Sequence, residues 1–98
     1  PSLDPEEELV VYRVAQEALT NVVRHAGAQT AELALGVREG RVELRVSDAG
    51  AGFDRGRAPD GTGLLGMRER ALLIAADLEV LSAVAEGTSV RLRLAGRQ

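Results

Sequence analysis

The chain has no cysteine and no tryptophan, and its only large aromatic residues are Tyr12 and Phe53. Without thiols there is no disulfide framework and no thiolate metal site, which makes an intracellular, cytoplasmic location the expectation. So few aromatics leave no stacking platform for single-stranded nucleic acid. Lysine is also missing: all 12 basic residues are arginines, set against 15 acids for a net charge of −3. That balance lacks the basic footprint of non-specific nucleic-acid binding, so no direct nucleic-acid partner is expected. No apolar run approaches the length of a membrane span and no signal peptide opens the chain, so membrane contact is not expected either. What remains is a 98-residue chain, 45% apolar and rich in Leu, Val and Ala. That suffices for a single domain over residues 1–98 with one modest core. The chain starts without Met and stops at Arg97-Gln98, and is read as a piece of a longer protein.

Asp4-Pro5-Glu6-Glu7 has the features of a helix start: a capping Asp, Pro at the first helical position and acids facing the helix dipole. No Gly or Pro follows until Gly27, which predicts a helix of about 21 residues reaching His25. At about 100° per residue, Val11, Ala15, Ala18, Leu19, Val22, Val23 and Ala26 form the expected buried arc. Arg13, Glu17, Thr20, Asn21 and Arg24 fall opposite, and Val10 and Val14 land among them. Thr30–Arg38 and Arg41–Asp48 alternate as strands around a Glu39-Gly40 turn, each with one buried side (Ala31, Leu33, Leu35, Val37; Val42, Leu44, Val46). Glycines at 50, 52, 56, 61, 63 and 66 mark a long loop, a length that favours function. Leu64–Ala76 reads as a second helix, and 78–84 and 88–94 as two more strands joined by Ala85-Glu86-Gly87. This order predicts an α+β fold, a two-layer α/β sandwich with a mostly antiparallel sheet and the helices on one face. The other face is polar: Glu32, Glu43, Arg45, Glu79, Arg91 and Arg93.

Four features carry chemistry. Asp48 shares strand parity with Val42, Leu44 and Val46, so its carboxylate turns towards the core and needs a partner. It either caps the following turn or accepts from a ligand amino group, with Gly50 and Gly52 letting a flat ring approach the backbone. Gly61-Thr62-Gly63-Leu64-Leu65-Gly66 leads into a helix and offers N–H groups to phosphate, or is simply a turn. It lacks the Gly-Lys-Ser/Thr of a Walker loop and the βαβ setting of a dinucleotide fingerprint. Glu17 and Asn21 sit four apart on the first helix, beside Arg24 and His25. They are either a solvated surface or, with Asn a poor helix former, a site in which Asn21 holds a hard cation and Arg24 a phosphate. His25 also suits the last helical turn as a cation. Thr88 shares the helix-facing side with Val90, Leu92 and Leu94, where a hydroxyl needs a hydrogen bond.

In this order the segments resemble the ATP-binding catalytic domain of sensor histidine kinases, in the group that also includes gyrase, heat-shock and mismatch-repair ATPases. Gln16–Ala26 is similar to the family's N box. Asp48-Ala49-Gly50-Ala51-Gly52-Phe53 is similar to its first glycine box, Gly61–Met67 to its second, and Gly87-Thr88 to its last nucleotide-contacting element. Gly66-Met67-Arg68-Glu69-Arg70 and a short lid resemble the nitrate-sensor-like subfamily. The resemblance implies ATP and Mg²⁺ as cofactors. It implies that Asp48 accepts from the adenine amino group, Asn21 coordinates Mg²⁺, and Arg24 and His25 lie near the phosphates. Gly63 and Gly66 begin the helix that receives the phosphates, and Thr88 supports the adenine. Gly50, Gly52, Gly61 and Leu65 are further nucleotide-contacting positions, and Glu17 matches the water-activating residue of the ATPase relatives. The implied activity is transfer of the γ-phosphate to a histidine on a separate phosphoacceptor and dimerisation domain, with a response regulator downstream. That domain is absent here, since the only histidine belongs to the N box. The competing readings are an anti-sigma-type serine kinase of the same fold and a nucleotide-binding module without transfer activity.

Overall fold

The computed structural model describes residues 3–26, 30–52 and 63–96, leaving aside the side chains of residues 25 and 26. Helix α1 (Pro5–Asn21) continues into a π-helical segment (Val22–Ala26). Strands β1 (Ala31–Arg38) and β2 (Arg41–Asp48) follow, then helix α2 (Leu64–Leu73) and strands β3 (Asp77–Ala83) and β4 (Gly87–Arg93). The sheet has the order β1-β2-β4-β3 and every neighbouring pair is antiparallel. Both helices lie on one face, which is the expected α+β sandwich.

Asp4 starts α1 through a capping box. Its carboxylate accepts from the Glu7 amide at 2.9 Å, and the Glu7 carboxylate accepts from the Asp4 amide at 3.0 Å. Two N–H groups of the first turn are thereby satisfied reciprocally. Asp4→Ala is expected to cost about 1 kcal/mol of stability, read as a lower urea midpoint with an unchanged slope.

The core lies between α1, α2 and the inner sides of β2, β4 and β3. Val14 and Leu92 are wholly buried, and Leu44, Met67, Val80, Val90 and Leu94 surround them. Here the expected facing of α1 is corrected. Val10 and Val14 belong to the core, whereas Leu19 is partly exposed and Val23 is 83% exposed. The helix carries apolar residues on two sides, and the side meeting the sheet runs through Glu7, Val10, Val11, Val14 and Ala18. On the same 100° wheel Asn21 falls between Val10 and Val14, inside this arc, and Glu17 lies at its edge. These two residues therefore border the core rather than lie opposite it.

A second correction concerns β1. Its inner side is not buried: Leu33, Leu35 and Val37 are each about half exposed, at 49%, 56% and 56%. The helices cover β2, β4 and β3 and leave the edge strand bare. The outer face is the polar one and is tied by ion pairs, among them Arg91–Glu79, Arg45–Glu43, Arg93–Glu43 and Arg41–Asp77.

Candidate functional site

Chain connections bring the helix ends and strand ends together. Ala31, which opens β1, pairs with Asp48 at the end of β2, and Asp48 pairs with Thr88 of β4. Only residues 27–30 separate the π-helical segment from Ala31, so the C-terminal end of α1 lies at this end of the sheet. Helix α2 is followed within a few residues by Asp77, which sits at the opposite sheet end across from Arg93. The N-terminus of α2 therefore points back to the Asp48 end.

The floor of the site is a polar row of three inward positions, Ser82, Thr88 and Asp48, side by side across β3, β4 and β2. The Ser82 and Thr88 hydroxyls are 2.8 Å apart and hydrogen-bonded, and the Ser82 hydroxyl also donates to the Gly87 carbonyl at 3.2 Å. Asp48 Oδ1 accepts from the Gly50 amide at 2.8 Å. One carboxylate oxygen thus closes an Asx turn, and Oδ2 has no protein partner among the described residues. The turn-capping reading of Asp48 therefore applies to one oxygen, and the described residues leave the other facing the site. An open depression of about 380 Å³ runs along this sheet end, lined by Asp48, Ser82, Gly87 and Thr88 and, on the outer face, Ser47 and Ser89.

Two glycines hold this floor together. A Cβ on Gly52 would lie 2.1 Å from the Ala83 carbonyl oxygen, and one on Gly87 would lie 2.1 Å from the Asp48 carbonyl oxygen. Both have positive φ, 63° and 85°. The Ala85 amide donates to Ala51 at 2.6 Å in the same contact. The bare side of Gly52 is thus filled by the β3–β4 turn and not left open to a flat ring, which corrects the reason for glycine at that position.

The second wall joins the two helices. Gly63 caps α2 in the left-handed region, φ 69°, and a Cβ there would meet the Glu17 carboxyl at 2.5 Å. Glu17 therefore lies against the start of α2, one turn from Asn21, whose Oδ1 is buried. Among the described residues no side chain caps α2 and no acid occupies its first turn, so its leading N–H groups face the site uncapped. Arg70 folds back along the helix so that its guanidinium sits beside Gly66. Leu65 and Arg24 are exposed, Arg24 within the π-helical segment, a distortion often found at functional sites. His25 belongs to the same segment, and its side chain, like Gly61, lies outside what is described.

Sequence reasoning missed Ser82. The signal was present, because parity that turns Leu78 and Val80 inward turns Ser82 inward too.

Among the described residues, a helix N-terminus without a side-chain cap faces a carboxylate-and-hydroxyl floor across an Asn and a Glu, in a two-layer α/β sandwich. The family described as histidine kinase-, DNA gyrase B-, and HSP90-like ATPase matches residues 6–98, and the chain belongs to it. Its similar relatives are sensor kinases. It is 44% identical over 93 residues to the oxygen sensor histidine kinase NreB of Staphylococcus carnosus, covering 93% of this chain and 27% of that protein. It is 41% identical over 97 residues to the sensor histidine kinase YhcY of Bacillus subtilis, covering 96% of this chain and 25% of that protein. Among solved structures it resembles the ATP-binding domain of PrrB from Mycobacterium tuberculosis, with TM-score 0.71 and 25% identity over 95% of this chain and 68% of that one. The chain thus spans about a quarter of the length of the two kinases it matches. Among the described residues no helix is long and apolar enough to cross a membrane.

Proposed function

We propose that this ATPase-family domain binds Mg-ATP and presents the γ-phosphate to a histidine on a separate helical domain, in two-component signalling. The observation that carries the reading is Asp48, an inward carboxylate with one oxygen fixed by Gly50 and the other without a protein partner among the described residues. That oxygen accepts from the adenine amino group. Guanine offers a carbonyl at the same position, so the site selects ATP over GTP. The Ser82–Thr88 hydroxyl pair continues the polar floor beneath the base.

The triphosphate lies at the start of α2, where N–H groups without a side-chain cap among the described residues and the helix dipole favour negative charge. Arg24 and His25 contribute from the π-helical segment, with Leu65 and Gly66 along the phosphate path; Gly61 is assigned to the nucleotide by resemblance alone and lies outside the described residues. The donor set fits Mg²⁺, which takes one or two protein oxygens and completes its shell with phosphate oxygens and water. Asn21 supplies such an oxygen. The ion, when bound, offsets phosphate charge. Glu17 lies against Gly63 at the start of α2, and its assigned role is to orient the attacking group or accept a proton from it. Catalysis here rests on positioning and charge neutralisation.

The test is titration calorimetry with Mg-ATP and Mg-GTP, followed by labelled phosphate transfer to an added helical phosphoacceptor domain. ATP is expected to bind at least about a hundredfold more tightly than GTP, with label appearing on histidine. Equal heats for the two nucleotides remove the adenine reading. Tight ATP binding without transfer favours the non-catalytic module.

A further inference from the structure

The hydroxyl of Ser82 stands behind that of Thr88, one strand farther from Asp48. Across the sheet order β1-β2-β4-β3, the row at the nucleotide end runs Ala31, Asp48, Thr88, Ser82. Strands lie about 4.8 Å apart, so Ser82 is two strands, or roughly 10 Å, from Asp48. It therefore acts on anything held by that carboxylate only through Thr88. An amino group bound at Asp48 has Thr88 on one side. On the other side Ala31 offers no polar side chain. Within this row Thr88 is the one side chain able to read a second polar atom next to the amino group.

A hydroxyl has one proton and rotates to suit its neighbours. Ser82 Oγ lies 2.8 Å from Thr88 Oγ1 and 3.2 Å from the Gly87 carbonyl oxygen. Two arrangements satisfy the shorter contact. In one, Ser82 donates to Gly87 and Thr88 donates to Ser82, so Thr88 shows the site only lone pairs. In the other, Ser82 donates to Thr88, and the Thr88 proton is free to face the site. Passing from the first to the second gives up only the longer bond, and each proton merely rotates about its own C–O bond. Beside the acceptor Asp48, the first arrangement makes a floor of two acceptors and the second a floor of acceptor and donor. Adenine complements the second, with its amino donor next to ring N1, an acceptor. Guanine and hypoxanthine carry a carbonyl next to an N–H and are opposed at both positions.

We propose that Ser82 is a positioning residue for base selection: by donating to Thr88 it turns the Thr88 proton towards adenine N1, directly or through one water. The proposal rests on the adenine reading of Asp48 and adds a second point at which the base is read. The test is titration calorimetry with the magnesium complexes of three nucleotides: ATP, 1-deaza-ATP (C–H in place of N1) and purine riboside triphosphate (no amino group). The wild type is expected to bind 1-deaza-ATP about tenfold more weakly than ATP, the worth of one hydrogen bond. In Ser82→Ala, and in Ser82→Cys with its weakly donating thiol, this ratio falls to within about threefold. Ser82→Thr keeps a hydroxyl and restores the ratio. A role confined to holding the strand ends together would weaken all three nucleotides alike and leave the ratio unmoved. The penalty for losing the amino group stays at its wild-type value in each variant, because it reports Asp48. An alanine or cysteine variant that keeps the tenfold ratio overturns the proposal, as does a wild type that binds 1-deaza-ATP as tightly as ATP. If purine riboside triphosphate binds the wild type like ATP, the Asp48 reading falls and takes this proposal with it. The two failures are told apart by which analogue loses its penalty.

Discussion

Replacing Asp48 by asparagine is expected to weaken ATP binding at least about a hundredfold, or about 2.7 kcal/mol, while leaving the fold intact. Asparagine keeps the oxygen that accepts from the Gly50 amide at 2.8 Å, so the turn at the end of β2 survives. It replaces Oδ2 with an NH₂ group that faces the adenine amine donor to donor. Alanine loses both functions and is expected to lower stability as well as affinity. Calorimetry with Mg-ATP measures the first effect and thermal unfolding the second. An asparagine variant that binds ATP like the wild type would show that this carboxylate serves only its turn, and the adenine reading would fall.

The largest expected loss of stability comes from Gly87→Ala. The residue has φ 85°, and its Cβ would stand 2.1 Å from the Asp48 carbonyl oxygen. Backbone cannot swing aside as a side-chain tip can, so β4 must separate from the end of β2. Left-handed strain and overpacking together cost about 2–5 kcal/mol, a large part of what a domain of this size has in reserve. Because the same contact holds Asp48 and Thr88 in register, ATP affinity should fall with it. Urea unfolding of the variant checks the first part. By contrast, Gly66→Ala meets only the tip of the Arg70 side chain at 3.1 Å. A variant at Gly87 as stable as one at Gly66 would show that the sheet end is looser than this contact implies.

Local chemistry was the most legible part of the chain. Asp4, Pro5 and Glu7 announce the start of α1, and alternation placed each strand to within a residue or so of its observed bounds. Parity alone turned Asp48 and Thr88 inward. The facing of α1 was not legible, because apolar residues occupy two sides of it. A helical wheel sorted by hydropathy is then centred by Leu19 and Val23, whereas burial is decided by which side the sheet touches. The same holds for β1: alternation identifies a side for Leu33, Leu35 and Val37, but whether anything covers it depends on how far the helical layer reaches. Ser82 was missed for a related reason. A lone serine in a strand is ordinary, and it acquires meaning only through the register that sets it beside Thr88. The need for glycine at 52 and 87 is likewise a property of two segments meeting, invisible in either.

Among the described residues, Asp48, Thr88 and the other groups assigned to the nucleotide lie at one end of the sheet, and the Glu39-Gly40 hairpin lies at the other, next to Arg93 and Asp77. Since the chain has no native thiol, a cysteine introduced at the exposed Glu39 would be its sole reactive sulfur. A dye or immobilising tether attached there would report on or hold the molecule from its far pole, with the pocket left open to solution.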